Sequence, residues 1–135
     1  MFAITIVIDT SALLAVLLNE ASRPALIAAT EGASLVGPPS LPWEIGNALI
    51  AGVRRHRIPK EIVAAAWASY LQVPVRLTQI DVPRALETAG TLGLYAYDAY
   101  VLETARTERA PLLTLDAALA RAARTMGVSV VELPK

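Results

Sequence analysis

The chain alternates short apolar runs rich in branched residues with longer segments rich in Ala and Leu. The short runs are predicted strands at residues 3–8, 34–37, 75–80, 112–115 and 128–133. A run that is apolar at nearly every position, such as residues 3–8, is typical of a parallel strand buried on both faces. Strands separated by helices therefore predict the α/β class, as a three-layer α/β/α sandwich with a central, mostly parallel sheet.

Helices are predicted between these strands, because prolines and capping residues stand where each would begin. The predicted helices begin at Ala12 and after Pro83 and cover residues 24–30, 42–55, 59–72, 98–109 and 117–126. No repeat, low-complexity tract or linker interrupts the alternation. A chain of 135 residues is long enough for one buried core, so residues 1–135 are predicted to form a single domain.

Hydrophobic residues make up 55% of the chain, yet no apolar run is long enough for a membrane span. The longest, residues 12–18 and 62–68, fall well short of the roughly 18 residues that a spanning helix needs. Residues 1–9 lack a basic region and end in an acid, unlike a signal peptide. We therefore expect no membrane association and a cytoplasmic location, with the excess apolar surface in the core or in a partner interface.

Twelve basic and twelve acidic residues balance to a net charge of zero, which argues against binding nucleic acid by overall charge. The basic run at residues 54–57 is expected to favour a helix end through its dipole rather than to hold phosphates. His56 is the only histidine and there is no cysteine. A zinc site, a disulfide or a Ser-His triad therefore has little material to draw on.

Two acids stand where a predicted strand ends and a helix begins, Asp9 and Asp116. In open parallel sheets, ligands bind beyond the carboxyl ends of the strands near the switch point of the topology. If these two strands are neighbours, the two carboxylates converge on one crevice. Asp is also a favoured helix N-cap, and each of these residues taken singly fits that simpler role better. Asp81 occupies the same kind of junction, and we assign it no chemistry.

Glu44 lies in the apolar segment LPWEIGNALI, and Asp98 is predicted to begin a helix. If Asp9, Glu44, Asp98 and Asp116 come together, they repel one another unless a cation neutralises them. Mg²⁺ and similar hard cations take oxygen ligands of this kind. Such a site lowers the pKa of a bound water and stabilises charge on a phosphodiester.

Four segments, VIDTSALLAVLLNE, LPWEIGNALI, YDAYVLETA and PLLTLD, occur in the order and spacing that PIN domains show. The chain thus resembles PIN domains over residues 4–131, and in particular the VapC-type toxins of toxin–antitoxin pairs. The resemblance implies that the acidic quartet of the site, both catalytic and metal-binding, is Asp9, Glu44, Asp98 and Asp116.

The resemblance also implies supporting polar residues at Thr10, Ser11 and Thr114, with Asn47 one helical turn from Glu44. It implies a Mg²⁺- or Mn²⁺-dependent endoribonuclease that cuts an RNA substrate and forms a homodimer. Inhibition by a small antitoxin, which inserts a basic side chain near the acids, is implied as well. The chain departs from the pattern at Leu119, where relatives often carry an aromatic residue; this affects packing and leaves the quartet intact.

Two other functions stay open on the sequence. One is a phosphotransfer domain with Asp9 as phospho-acceptor, but Asp9 is followed by Thr10-Ser11 rather than by a DxD pattern. The only lysines, Lys60 and Lys135, also do not follow a late strand as a receiver-like site requires. The other is a PIN-like binding module that has lost catalysis, against which the complete quartet argues.

The aromatic and leucine-rich segments favour packing roles over RNA contacts. Tyr95, Tyr97 and Tyr100 surround Asp98, and we expect them in the core or a dimer interface rather than stacked on bases. Trp43 and Trp67 are expected to be buried anchors. A helical apolar stripe, predicted to serve the core or a partner groove, comprises Leu13, Leu14, Leu17 and Leu18.

Overall fold

The computed structural model describes residues 3–134, which form a four-stranded parallel sheet packed between helices. Met1, Phe2 and Lys135, at the ends of the predicted 1–135 domain, lie outside the described residues. The strands are β1 (Thr5–Ile8), β2 (Ser34–Gly37), β3 (Val75–Leu77) and β4 (Leu112–Leu113). The helices are α1 (Thr10–Leu17), α2 (Arg23–Thr30), α3 (Leu41–Arg54), α4 (Val63–Gln72), α5 (Val82–Leu92), α6 (Ala96–Glu108) and α7 (Ala117–Thr125), with a 3₁₀ turn at Lys60–Ile62.

The strand order is β3-β2-β1-β4, and every pair is parallel. The chain moves outward from β1 to β2 and β3, then crosses to the other side of β1 to form β4. Ile8 pairs with Leu113, so the ends of β1 and β4 lie side by side. The switch point of the topology is therefore between these two strands, where an open parallel sheet places its ligand crevice.

Helices cover both faces of the sheet, which confirms the three-layer prediction. Successive side chains of a strand point to opposite faces. Accordingly, Ile6 and Ile8 pack in a core with α1, α2, α3 and α4, whereas Val7 packs in a second core with α6 and α7. Helix α5 lies against α6. Among the described residues, no helix combines the length and the apolar character that a bilayer span requires.

Two glycines let α3 approach its neighbours. A Cβ at Gly37, the last residue of β2, would lie 2.7 Å from a methyl group of Leu41 at the start of α3. A Cβ at Gly52 would overlap the Ile58 side chain, which packs over the end of the helix. The amides of Arg57 and Ile58 both donate to the Gly52 carbonyl, at 2.8 and 3.2 Å. These contacts fix both ends of α3, the longest helix, relative to the sheet.

The predicted strand at residues 128–133 is wrong, because only Val130 forms a bridge, with Leu112. The Leu112 amide donates to the Ser129 carbonyl, and the Val131 amide donates to the Leu112 carbonyl, both at 2.8 Å. Strand β4 ends at Leu113, one residue after Leu112, so it has no further residue that could pair with residues 128–133.

Other predicted bounds were too long. Strands β1, β3 and β4 are shorter than residues 3–8, 75–80 and 112–115. Asp98 does not begin its helix: α6 begins at Ala96 and places Asp98 in the first turn. Tyr95 is the N-cap residue, in an extended conformation and without a side-chain capping bond. A weak cap offers little sequence signal, which explains the misplaced start.

Candidate metal-binding site

Asp9 lies at the carboxyl end of β1 and is 5% exposed. It is the N-cap of α1, and its Oδ1 accepts a hydrogen bond from the Ala12 amide at 3.0 Å. The Ser11 hydroxyl donates to the same carboxylate at 2.7 Å from Oδ1, and the Thr114 hydroxyl donates to Oδ2. A carboxylate with this many donors is held in one orientation, so Asp9 is a fixed centre for the site.

The same two hydroxyl groups fix the loop between β4 and α7. Ser11 Oγ accepts from the Leu115 amide, and Thr114 Oγ1 accepts from the Asp116 amide, both at 3.0 Å. The two hydroxyl oxygens are 3.3 Å apart. Each hydroxyl therefore donates to Asp9 and accepts from the loop, which sets the position of Asp116 relative to Asp9.

Glu44 lies in the first turn of α3 and is oriented by two hydroxyl groups. The Ser40 hydroxyl donates to Oε2 at 2.7 Å, and Thr10 Oγ1 lies 3.5 Å from Oε1, a weak contact. Ser40 is the N-cap residue of α3, but its side chain makes no capping bond and binds Glu44 instead. Sequence reasoning missed Ser40, although a Ser one helical turn before a buried acid is a usable signal.

Asp98 and Asp116 reach the same cleft from α6 and α7. Asp116 is the N-cap of α7, and its Oδ1 accepts from the Ala118 and Leu119 amides at 2.9 and 3.1 Å. Asp98 is half-buried, and no hydrogen bond contributes to its pKa shift. The cleft has a volume of about 260 Å³, and its lining residues are Asp9, Thr10, Ser11, Leu14, Glu44, Asp98, Val101, Asp116 and Leu119.

The structure thus brings all four predicted acids to one cleft, and the cleft lining does not include the predicted supporting residue Asn47 or the acid Asp81, to which no chemistry was assigned. Asp81 lies elsewhere, as the N-cap of α5, where it accepts from the Arg84 amide at 3.1 Å. Asn47 does not line this cleft; it is exposed on α3 and borders a separate groove with Ile50 and Arg54. Among the described residues, the side-chain hydrogen bonds to Glu44 come from Thr10 and Ser40, and none comes from Asn47, one helical turn away.

Burial and mutual repulsion raise the pKa of three of these acids. Burial is the main cause of the raised pKa of Asp9, and the charge of Asp116 adds to it against the hydrogen bonds from Thr114, Ala12 and Ser11. The pKa of Glu44 is raised by burial and by the charges of Asp98 and Asp9. The pKa of Asp98 is raised by burial and by the charges of Asp116 and Asp9. Each of these carboxylates is less stable as an anion here than in water, so a nearby cation would be favoured.

The donor chemistry fits a hard divalent cation such as Mg²⁺ or Mn²⁺, because the cleft offers carboxylate and hydroxyl oxygens. As placed, however, no three acid or histidine side chains within residues 3–134 are close enough to hold one ion. Asp9 and Asp116 each cap their own helix, and Ser40 holds Glu44. The four acids therefore line one cleft, but as placed they do not form a set of ligands around a single ion.

Most aromatic side chains near the acids are exposed, which contradicts the prediction for Trp43 and leaves only the dimer-interface alternative for Tyr95 and Tyr97. Trp43, next to Glu44, is 73% exposed and is not the buried anchor that was predicted. Tyr95 is 84% exposed and Tyr97 is also exposed, so neither belongs to the core. Trp67, by contrast, is partly buried against the first core, with its ring centre 5.2 Å from that of Tyr70.

Comparison with known proteins supports the same architecture. PAE2754 from Pyrobaculum aerophilum superposes with a TM-score of 0.68 at 23% identity, over 90% of this chain and 87% of that one. The toxin VapC20 from Mycobacterium tuberculosis, described as cleaving the sarcin–ricin loop, gives a TM-score of 0.63 at 17% identity, over 87% and 94% of the two chains. VapBC2 from Rickettsia felis, solved with a promoter DNA fragment, gives 0.65 at 12% identity, over 97% and 100%.

These identities show a shared fold and no more. No match was found among curated proteins. The family profile described as PIN domain matches residues 6–125, a span that contains Asp9, Glu44, Asp98 and Asp116. This match covers most of the chain, and the chain therefore belongs to the PIN domain family.

Proposed function

We propose that this chain is a Mg²⁺- or Mn²⁺-dependent endoribonuclease that hydrolyses RNA phosphodiesters at the cleft formed by Asp9, Glu44, Asp98 and Asp116. The observation that carries the proposal is the meeting of four acids, from four separate parts of the chain, at the switch point between β1 and β4. Membership of the PIN family and the fold shared with an RNA-cleaving toxin support this assignment.

In this proposal the residues that would hold the cation are Asp9, Glu44, Asp98 and Asp116, and the bound cation would supply activation of water and stabilisation of charge on the phosphate. Ser11 and Thr114 keep the Asp9 carboxylate in one orientation and keep the Asp116 loop beside it. Ser40 keeps Glu44 directed by its hydroxyl bond to Oε2. Three apolar side chains also line the cleft: Leu14, Val101 and Leu119.

The two alternatives fit the geometry less well. A phospho-acceptor must expose a free carboxylate oxygen, whereas Asp9 is buried and both of its oxygens accept hydrogen bonds. A binding module without catalysis has no need to keep three acids at raised pKa in one cleft, since their burial costs stability. In a metal-dependent nuclease, the loss of stability from burying these acids is explained by their role in binding the cation.

Cleavage of RNA in Mn²⁺ or Mg²⁺, and its loss in excess chelator, is the experiment that tests the proposal. We expect cleavage to return when metal is added back in excess of the chelator, because the acids themselves remain intact. Electrophoresis of a labelled single-stranded RNA follows the products. Undiminished cleavage in chelator would contradict the proposal, and binding without cleavage in either metal would favour the binding module.

We further propose that the chain acts in the cytoplasm as the toxin of a toxin–antitoxin pair, held by a small antitoxin. A groove of about 470 Å³ lies between the ends of α1 and α3. Its lining combines apolar residues, among them Leu18, Ile58 and Ile62, with the charged residues Glu20, Arg55 and Arg57. Of the leucine stripe predicted to serve the core or a partner groove, Leu13 is buried in the core and Leu18 lines this groove.

This groove fits an amphipathic antitoxin helix, which buries its apolar face and leaves its polar face in water. Ala48 is one turn from Glu44 on α3, so a segment continuing along the helix reaches the acid cleft. An Arg or Lys from the antitoxin would there compete with the metal for the same negative charge. The fold shared with toxin–antitoxin complexes from Rickettsia felis and Klebsiella pneumoniae supports this partner.

Co-expression in bacteria tests the partner. The chain alone should arrest growth, and the small protein encoded beside it should relieve the arrest and co-purify with it. The variant Ile62→Asp places a charge on the groove and should escape this relief, whereas Ile27→Asp, exposed on α2, should not. If the chain is harmless alone and no neighbouring gene product binds it, the toxin assignment fails even where RNA cleavage is found.

A further inference from the structure

A second polar cavity lies at the opposite end of the sheet from the acid cleft. It has a volume of about 350 Å³ and lies beside the start of β4, between the end of α6 and the segment that follows α7. Its lining residues include Arg106, Arg109 and Ser129 and, within the part of the chain that the structure describes, no acidic residue. The cavity thus gathers positive charge and hydrogen-bond donors at a place that the proposed active site does not use.

Arg106 is held in place by a buried acid. Its Nε and Nη2 groups donate to the two carboxylate oxygens of Glu103, which is 1% exposed, while 40% of the Arg106 side chain stays exposed. A guanidinium carries five N–H groups in a fixed fork, so this pair leaves three of them for a ligand. The pair is neutral as a whole, and its contribution to the cavity is a set of donors with a fixed orientation.

Arg109 supplies a positive charge that no acid of the described chain offsets. The ion pairs within residues 3–134 join Arg76 to Glu108 and Arg106 to Glu103, and neither involves Arg109. A basic side chain at a helix end can also serve the helix by donating to its last carbonyl groups. Among the described residues, however, the hydrogen bonds from the side chains of Arg106 and Arg109 are the two that go to Glu103.

The cavity and the acid cleft lie along one side of α6. Asp98 and Val101 line the cleft, whereas Ala105 and Arg109 line the cavity, and spacings of three and four residues put all four on the same side of the helix. Asp98 and Arg109 are about 16 Å apart along the helix, at 1.5 Å per residue. Successive phosphates of a stacked strand are about 3.4 Å apart along its axis, so roughly five nucleotides span this distance.

We propose that this cavity binds a backbone phosphate of the RNA substrate, about five nucleotides from the bond that is cut, through Arg109, Arg106 and Ser129. The proposal rests on the proposed nuclease function. The planar guanidinium matches phosphate oxygens with paired donors, and the charge of Arg109 offsets that of the phosphate. A phosphate bound this far from the cleft adds affinity without taking part in the reaction, so it acts on KM rather than on kcat. The alignment with the cleft along α6 favours the RNA backbone over a free phosphate or nucleotide, which has the same chemistry.

Inorganic phosphate tests the cavity without reference to cleavage. In excess chelator, so that no metal holds phosphate at the acids, a phosphate titration should shift the amide NMR signals of residues 105–111 and 126–129 in a saturable way. The variant Arg109→Gly should bind phosphate about tenfold more weakly, because it lacks a charged donor. Arg109 has φ 52, a left-handed conformation that suits Gly, so this variant should be at least as stable as the wild type.

Arg106 is the poorer choice for a variant, because its removal would leave Glu103 buried without its partner. The matched control is Arg23→Ala, which removes one positive charge from an exposed position on α2, on the other face of the sheet. This control should bind phosphate as the wild type does. No saturable shift in the wild type, or equal phosphate affinity in Arg109→Gly, would overturn the site.

RNA length tests whether the bound phosphate belongs to the substrate. Once the cut bond is mapped, KM is measured in Mn²⁺ on two RNAs that contain it, with about eight or about two nucleotides on either side. The wild type and Arg23→Ala should prefer the longer RNA about tenfold in KM, and Arg109→Gly should lose this preference. An Arg109→Gly variant that loses phosphate binding but keeps the preference would overturn RNA as the occupant. If the wild type cuts no RNA, the proposed function fails, and the phosphate titration still decides whether the cavity binds an anion.

Discussion

Replacing Asp98 with Asn is expected to lower the rate of RNA cleavage by roughly 100-fold or more, the effect of removing one preorganised charge-stabilising group. The substitution keeps the size of the side chain and removes its charge from a cleft shared with Asp9, Glu44 and Asp116. Asp98 is only half-buried, and its pKa is raised by burial and by the charges of Asp116 and Asp9, so removing its charge should not destabilise the fold. Cleavage is measured under saturating Mn²⁺, with the circular dichroism of both proteins compared.

Asp81→Asn is the matched control for this substitution. Asp81 is also an acid at the beginning of a helix, but it caps α5 outside the cleft and accepts from the Arg84 amide. Asn is as good an N-cap as Asp, so the helix should persist. Cleavage by Asp81→Asn should equal that of the wild type. If Asp98→Asn cut RNA as well as Asp81→Asn does, Asp98 would not belong to the proposed catalytic site.

The strand-end acids are the part of the site that the sequence predicts well. Asp9 and Asp116 each follow an apolar run and precede an Ala- and Leu-rich helix, and the structure places both at such junctions. Their proximity also needed β1 and β4 to be neighbours, which depends on strand order. Strand order comes from how helices pack on both faces of the sheet, and local residue patterns do not report it.

Side-chain partners and exposure are harder to read from the sequence. Ser40 looks like an ordinary N-cap, whose hydroxyl would accept from a backbone amide, yet this hydroxyl accepts no capping bond and instead donates to the half-buried Glu44 carboxylate. Trp43 looks like a core residue by its apolar character. Helical spacing shows that it shares a face with Asn47 and Arg54, and only the packing of α3 on the sheet shows that this face is exposed.

The metal-free protein is expected to lose stability as the pH rises, through the acids of the cleft. The folded pKa of Glu44 and of Asp98 is raised above the ordinary values of 4.5 and 3.8, mainly by burial and then by neighbouring acids. Between the ordinary and the raised value, the folded chain binds more protons than the unfolded chain. The stability that this provides is fully present below the ordinary values and is lost as the pH rises through the raised ones.

The double variant Glu44→Gln/Asp98→Asn isolates this effect, because it leaves in place Asp9 and its hydrogen bonds with Ser11, Ala12 and Thr114. Without metal, its free energy of unfolding should exceed that of the wild type at neutral pH by more than at acid pH. Urea unfolding at a series of pH values measures the difference. A difference that stays constant with pH would contradict the raised pKa values of the two acids.

At neutral pH, metal should make the wild type more stable than the double variant, which is the reverse of the order expected without metal. A cation that binds only the folded chain stabilises it by about 2.7 kcal/mol when present at 100 times its Kd. The wild type should gain this stability in Mn²⁺, whereas the double variant, with two charges removed from the cleft, should gain much less. Protons compete with the metal for the same carboxylates, so the gain should shrink as the pH falls through the window where Glu44 and Asp98 titrate. An equal gain for both proteins, or one independent of pH, would place the metal outside this cleft.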